Sequence, residues 1–187
     1  MAARETAIAT DGFEYAVAGC PRALREDVRV VLKGISVEAL QIVCSVQRAQ
    51  LDLVNIGPDV DREKDFLLER FVAWAKAACE LLAAQGHWAD YADPCSGLLV
   101  RNRLSNVIWP EVESMSQLLG YRTLNAGPCH ILLHPRWGSA CYPATLFTTA
   151  PRETALAALQ EACDVLRAPP ASGVDVAAAA GSGGPVA

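Results

Sequence analysis

The spacing of hydrophobic positions changes along the chain, and each change predicts an element. Leu24, Val28, Val31 and Leu32 recur three to four residues apart, the stripe of an amphipathic helix. Pro21 suits its first turn and Gly34 its end. Leu40, Ile42, Cys44 and Val46 then alternate with Gln41, Val43, Ser45 and Gln47, the period of a strand with one apolar face. The clearest helical signal covers 61–85, where Leu67, Phe71, Trp74, Ala78 and Leu81 share one face. Asp59 or Asp61 is expected to cap its start and Gly86 to end it. A shorter helix is predicted over 111–119, stopped by Gly120. Strands follow at 129–134 (CHILLH) and about 141–148, joined by PRWGSA in a hairpin-like connection. Pro135 and Pro143 mark these strands as edges or irregular. Pro151 opens a last helix carrying Leu156, Leu159, Cys163 and Leu166. The order predicts an α+β fold with a mainly antiparallel sheet flanked by helices.

Composition sets the bounds of this unit. The chain has 187 residues, and the periodic signals place one folded domain at 13–167. Residues 1–12 are small and polar. Residues 168–187 are Ala, Gly, Pro, Ser and Val with one charge, Asp175. Both ends are expected to be disordered, since such segments bury too little surface to offset their ordering entropy. The net charge of −5 argues against a nucleic-acid partner, which calls for a basic surface. The longest stretch without Asp, Glu, Lys or Arg runs from Trp137 to Pro151 and holds two prolines, too short for a membrane span. The N-terminus has no apolar signal core, and Arg4 stands beside the acids Glu5 and Asp11. It gives no convincing mitochondrial presequence, so a cytoplasmic chain is expected.

Seven cysteines and three histidines supply the candidate chemistry. No two cysteines form a C-x-x-C pair, so neither a zinc ribbon nor a disulfide framework is predicted. Cys44, Cys79 and Cys163 fall on apolar faces. Cys129, His130 and His134 invite a metal reading, but on a strand residues four apart lie roughly 13 Å from each other, too far to grip one zinc ion. No phosphate loop, G-x-G-x-x-G or G-x-S-x-G motif is present. The basic pair Arg101 and Arg103 could hold a phosphate, but two arginines in a loop are usually just solvated. The segment GHWADYADPCSGL at 86–98 is the least ordinary. Trp88, Asp90, Asp93 and Gly97 are expected to be structural there, with Asp93 turning the backbone before Pro94.

This segment resembles the diagnostic loop of the methylmalonic aciduria and homocystinuria type D protein family, a family of cobalamin trafficking. GPCHILLHPRWGSACYPATLFTTAP at 127–151 resembles a second family motif, especially the H-x-x-W-G core at His134, Trp137 and Gly138. Cys20-Pro21 and DFLLERFVAWAKAACELLAAQG are also similar, so the resemblance covers about 13–165. It implies a fold related to flavin-dependent nitroreductases and flavin reductases, without bound flavin, and no enzymatic activity. It implies an adaptor that binds no cofactor alone. The adaptor would dock on the cobalamin-processing chaperone, the type C protein of the pathway, which holds the cobalamin. It would help route cobalamin to methionine synthase and methylmalonyl-CoA mutase. A cysteine of the second motif is implied as a thiolate ligand to cobalt, a soft ligand suited to such a site. The family pattern has two adjacent cysteines after the glycine, and this chain has Pro128 then Cys129. The first of the pair, which the resemblance implies as the ligand, is missing here, so either Cys129 substitutes as the cobalt-ligating candidate or ligation is absent in this chain; no metal is expected in the isolated chain. The family's long N-terminal region with mitochondrial targeting is not matched in the 12 residues before the predicted domain. The alternative is a flavin-dependent reductase on the related fold, against which stands the missing grip for a flavin phosphate.

Overall fold

A computed structural model describes residues 6–10, 12–127 and 129–167. Its elements are β1 (Thr6–Thr10), β2 (Phe13–Gly19), α1 (Arg25–Val31), β3 (Gln41–Arg48), α2 (Pro58–Ala84), β4 (Ala89–Tyr91), α3 (Glu111–Leu119), β5 (Arg122–Ala126), β6 (Cys129–Leu133), β7 (Cys141–Thr148) and α4 (Arg152–Arg167). Five strands form an antiparallel sheet in the order β1-β2-β3-β7-β4, and β5 pairs with β6 in a separate two-stranded sheet. The α+β expectation with a mainly antiparallel sheet agrees with this architecture.

Each face of the main sheet carries its own core. On one, Phe13, Tyr15, Val17, Val43 and Leu146 meet α2 and α4. The centre is Trp74, which is fully buried and packs on Phe13, Tyr15 and Phe71 with ring centroids 5.1, 5.6 and 6.2 Å away. Its Nε1–H donates to Leu159 O at 3.3 Å, tying α2 to α4. On the other face Ile42, Cys44, Val46 and Phe147 meet Leu24, Val28, Trp109, Met115 and Leu118 from α1, α3 and the segments just before each.

The helices lie close to where periodicity puts them. The helix expected over 61–85 begins three residues earlier, with Pro58 in its first turn and Gly57 as N-cap. Neither Asp59 nor Asp61 caps it; both lie in the first turn, where their charge suits the helix dipole and Asp59 pairs with Arg62. At its end the N–H groups of Gly86 and His87 donate to Ala83 and Leu82 carbonyls at 2.9 and 3.0 Å, which satisfies two terminal acceptors.

The strands depart further from expectation. Thr6–Thr10 and Phe13–Gly19 form two strands, so part of the N-terminal segment expected to be disordered is paired with β2. Residues 1–5, 11 and 168–187 lie outside the described residues. β3 was expected to have one polar face, yet Val43, Ser45 and Gln47 are buried with the rest. It lies between β2 and β7, and α2 covers the second face; Gln47 Nε2 donates to Leu67 O of that helix at 2.7 Å. The hairpin expected between β6 and β7 is absent, because β6 pairs with β5 while β7 pairs with β3 and β4. Pro143 fits within β7 because β4 reaches only Leu146–Thr148. Thr145 O accepts the Ala92 N–H on the β4 side, so two residues earlier the missing donor faces an unpaired edge.

Replacing Trp74 by Ala removes the largest side chain among those that join both helices to the sheet. We expect a loss of about 3–5 kcal/mol in stability, measured by denaturant unfolding.

Candidate functional site

Two motif loops frame the candidate site, and the fold uses them differently. The 86–98 loop leaves α2, forms β4 and turns back. Asp90 on β4 is fully buried. Its carboxylate accepts N–H groups of Tyr91, Arg101 and Asn102 at 2.7, 2.9 and 2.8 Å, and the Asn102 side-chain amide at 3.1 Å. A buried carboxylate with four donors is matched, and here it fixes the chain at 101–102 against β4. Asp93 serves its own turn: its oxygens accept Cys95 N–H at 3.3 Å, Ser96 N–H at 3.1 Å and Ser96 Oγ–H at 2.6 Å. Gly97 has φ +70°, and a Cβ there would sit 2.3 Å from Ile108 Cγ2. Its carbonyl accepts the Trp109 N–H at 2.8 Å. Trp88 is half-buried against the second core, and its carbonyl accepts Thr148 Oγ1–H and Thr149 N–H at 2.8 and 3.0 Å.

The second motif contains the β5–β6 hairpin and the loop into β7. Register pairs Ala126 with Cys129 across Gly127 and Pro128, so Cys129 flanks the turn at the hairpin tip, outside the main sheet. Pro128 lies outside the described residues. At the other end of β6, His134 and Gly138 exchange backbone hydrogen bonds at 2.9 Å in each direction. Gly138 has φ +58°, a conformation that glycine adopts without strain. This five-residue closure turns the chain from the small sheet into the large one.

His134 is buried and stacks on Trp137 at 3.8 Å, with Tyr121 edge-on at 5.1 Å. Its Nδ1 accepts the N–H groups of Arg136 and Trp137, both at 3.3 Å. The proton of the neutral ring then belongs on Nε2, 3.4 Å from Glu14 Oε2. Glu14 is a buried acid of β2 whose other oxygen pairs with Arg136. Burial pushes the His134 pKa down to about 4. Sequence reasoning missed Glu14, Tyr121 and Arg136. The one available signal was an acid within the period-two run Phe13, Tyr15, Val17.

The structure separates the residues of the metal reading. His130 is exposed and its Nδ1 meets Glu113 of α3, a bond that holds the Glu113 carboxyl below its usual range. His134 faces Glu14 instead. Among the described residues no three His, Cys, Asp or Glu side chains converge on one point. Two residues before Glu113, Glu111 turns its carboxyl inward to accept the Thr145 hydroxyl of β7. Burial raises its pKa to about 7.

An apolar groove of about 480 Å³ runs beside β6, lined by Val54, Ile56, Val112, Ile131, Tyr142 and Pro143. Ile56 is 99% exposed and Leu124 on β5 51% exposed. The remaining described thiols differ in placement: Cys44, Cys79, Cys141 and Cys163 are buried, Cys20 is half-buried before α1, and Cys95 is exposed in its turn. Burial raises the pKa of Cys79 to about 12 and of Cys141 to about 11, and also raises Cys20, Cys95 and Cys163. No described helix is long and apolar enough to cross a membrane.

Comparison with known proteins gives these loops a context. The family described as methylmalonic aciduria and homocystinuria type D protein matches residues 1–160. "Cobalamin trafficking protein CblD" of Mus musculus is 29% identical over 152 residues, 81% of this chain and 51% of that protein. The protein of the same name from Homo sapiens is 31% identical over 146 residues, 78% and 49%. That of Gallus gallus is 29% identical over 146 residues, with the same coverage. The chain spans about half the length of the curated relatives it matches.

Two expectations follow from the geometry. Asp90→Ala strands three backbone donors and should cost about 3 kcal/mol or more, whereas Asp93→Ala loses one turn and should cost about 1 kcal/mol. Thermal unfolding of the two variants checks the order.

Glu111 supplies the second. Its pKa is raised in the fold, so the native state keeps a proton that the unfolded chain releases above about 4.5. Stability from this group therefore falls as pH rises towards 7. Glu111→Gln should gain on wild type as pH rises from about 5 to 8, by on the order of 2 kcal/mol at the upper end. A gain that does not change with pH in unfolding scans would contradict the protonated assignment.

Proposed function

The chain belongs to the methylmalonic aciduria and homocystinuria type D protein family, and on that premise we propose that it is a non-enzymatic adaptor in cobalamin trafficking. It docks on the chaperone that processes cobalamin and helps direct the cofactor to methionine synthase and methylmalonyl-CoA mutase. The cargo is held by the partner, in a cytoplasmic complex. The family match spans both motif loops, and this is the observation that carries the reading.

Three features support it. The hairpin that starts β6 with Cys129 stands outside the main sheet, a placement suited to reaching a partner. The apolar groove lies beside that strand, with Ile56 unburied next to it, and exposed apolar surface of this kind suits protein contact. The five described thiols with raised pKa values are poor sources of thiolate at neutral pH. Cys129 is the cysteine we assign to cobalt. There its thiol would lose a proton to solvent, and the thiolate would supply a soft sulfur donor to the cobalt of the partner-held cobalamin. We also read the scaffold as related to flavin reductases, with the sheet kept and the cofactor role given up.

The visible spectrum of cobalamin bound to the processing chaperone tests the proposal. Addition of this protein should retain the chaperone in a pull-down and shift the spectrum as a thiolate ligand does. Cys129→Ser should abolish the shift and leave retention largely intact. A shift that survives the substitution rules Cys129 out, and stoichiometric flavin in the purified protein would replace the adaptor by a reductase.

A further inference from the structure

A second cleft, of about 400 Å³, lies between α2 and the 93–106 segment. It shares no lining residue with the groove beside β6. Its volume is in the range of pockets for small organic molecules. The walls are mostly apolar: Val72 from α2, Tyr91 from β4, and Leu98, Leu99 and Val100 from the returning loop. Two cations stand at the rim, Lys76 one helical turn beyond Val72 and Arg103 just past the pinned loop.

Neither cation makes an ion pair or a hydrogen bond among the described residues. Among the described residues Asp93 is the one carboxylate lining the cleft, and both of its oxygens are taken by Cys95 and Ser96. The cleft thus carries a local positive excess on a chain of net charge −5. Its geometry is also set in advance. Lys76 stands on a 27-residue helix, and the backbone of Arg101 and Asn102, immediately before Arg103, is held by the buried Asp90 carboxylate. Fixed supports of this kind lower the entropic cost of binding.

We propose that this cleft binds a small organic anion, a carboxylate or phosphate with a short apolar body. Lys76 and Arg103 hold its charged group, and Val72, Leu98 and Val100 receive its body. A planar guanidinium and a flexible ammonium together suit either head group. The charge pattern disfavours a neutral ligand, which would leave two cations beside apolar walls unused, and a bare inorganic ion, which would leave the walls unused. The inference does not rest on the adaptor reading.

Phenyl phosphate and benzoate are suitable probes, with inorganic phosphate and benzyl alcohol as controls for head group and body alone. Amide chemical shifts of the full chain should move at Val72, Lys76, Leu98 and Arg103 on titration with either organic anion, saturating by about 10 mM. Lys76→Ala and Arg103→Ala should each weaken binding about tenfold, as expected for loss of one charge-assisted contact. Both side chains are exposed, so the variants should unfold at the wild-type temperature, which scanning fluorimetry verifies. Loss of binding in the folded variants supports the site. No shifts with either anion, shifts elsewhere on the molecule, or undiminished binding by the double variant would overturn it. Inorganic phosphate binding as tightly as phenyl phosphate would also overturn it, since the apolar walls would then contribute nothing.

Discussion

The interior strands β3 and β7 must be covered on both faces, and the rest of the molecule follows from that constraint. One face receives α2 and α4, joined through Trp74. The other has no helix of comparable length and is covered by shorter pieces: α1, α3, Trp109 and Leu132 of β6. Short pieces carry many loop ends, and loop ends expose polar backbone groups that need partners. Buried carboxylates meet it in two ways, one through backbone donors and one through side chains of the crossing loop. Asp90 takes three backbone donors where the 86–102 loop folds back. Glu14 holds Arg136 and faces His134 where the second motif crosses β2. Charged groups that look misplaced in a core are thus the means by which irregular chain closes the second face.

The two motifs divide the labour accordingly. The 86–98 loop is bound inward by Asp90 and by the close approach of Gly97 to Ile108, while Asp93 shapes its tip, and its product is a lip beside α2. The 127–138 segment is bound inward at Leu132, which is buried in the second core, and at its far end, where His134 and Gly138 close a turn. Its near end carries Cys129 at a hairpin tip away from the main sheet. A segment anchored at one end and free of the sheet at the other can present a residue to another molecule without disturbing the core.

Much of this was legible in the sequence, and the remainder was hidden for identifiable reasons. Helices α2, α3 and α4 announced themselves because one face of each meets a core, which imposes a 3.6-residue period. β3 was found by alternation but misread as one-sided, since Ser45 and Gln47 look like solvent residues until α2 covers them. β2 also alternates, yet its Glu14 and two alanines weaken the contrast. β4 is only three residues long, and β5, with exposed Arg122, Thr123, Leu124 and Asn125, has no buried side to create a pattern. The pairing of β6 could not be read at all, because alternation marks a strand without naming its neighbour. The same limit hid the partners of His134, since Glu14 lies 120 positions earlier in the chain. The roles of Asp90 and Asp93 were read as structural from local turn chemistry, but that Asp90 is buried depends on tertiary contact.

The pairing of β3 with β7 joins Gln41 to Thr148 and Arg48 to Cys141, with roughly a hundred residues of chain looped between them, a separation associated with slow folding. On a ribosome, the first half of the protein would emerge with β2 and β3 paired to each other and one edge of β3 bare. That edge belongs to a strand with apolar residues on both sides, and an open apolar edge is what invites association with other chains. The centre of the sheet can close only once Thr148 has emerged. The two-sided burial that stabilises the finished molecule therefore leaves the growing one dependent on rapid completion or on protection by a chaperone.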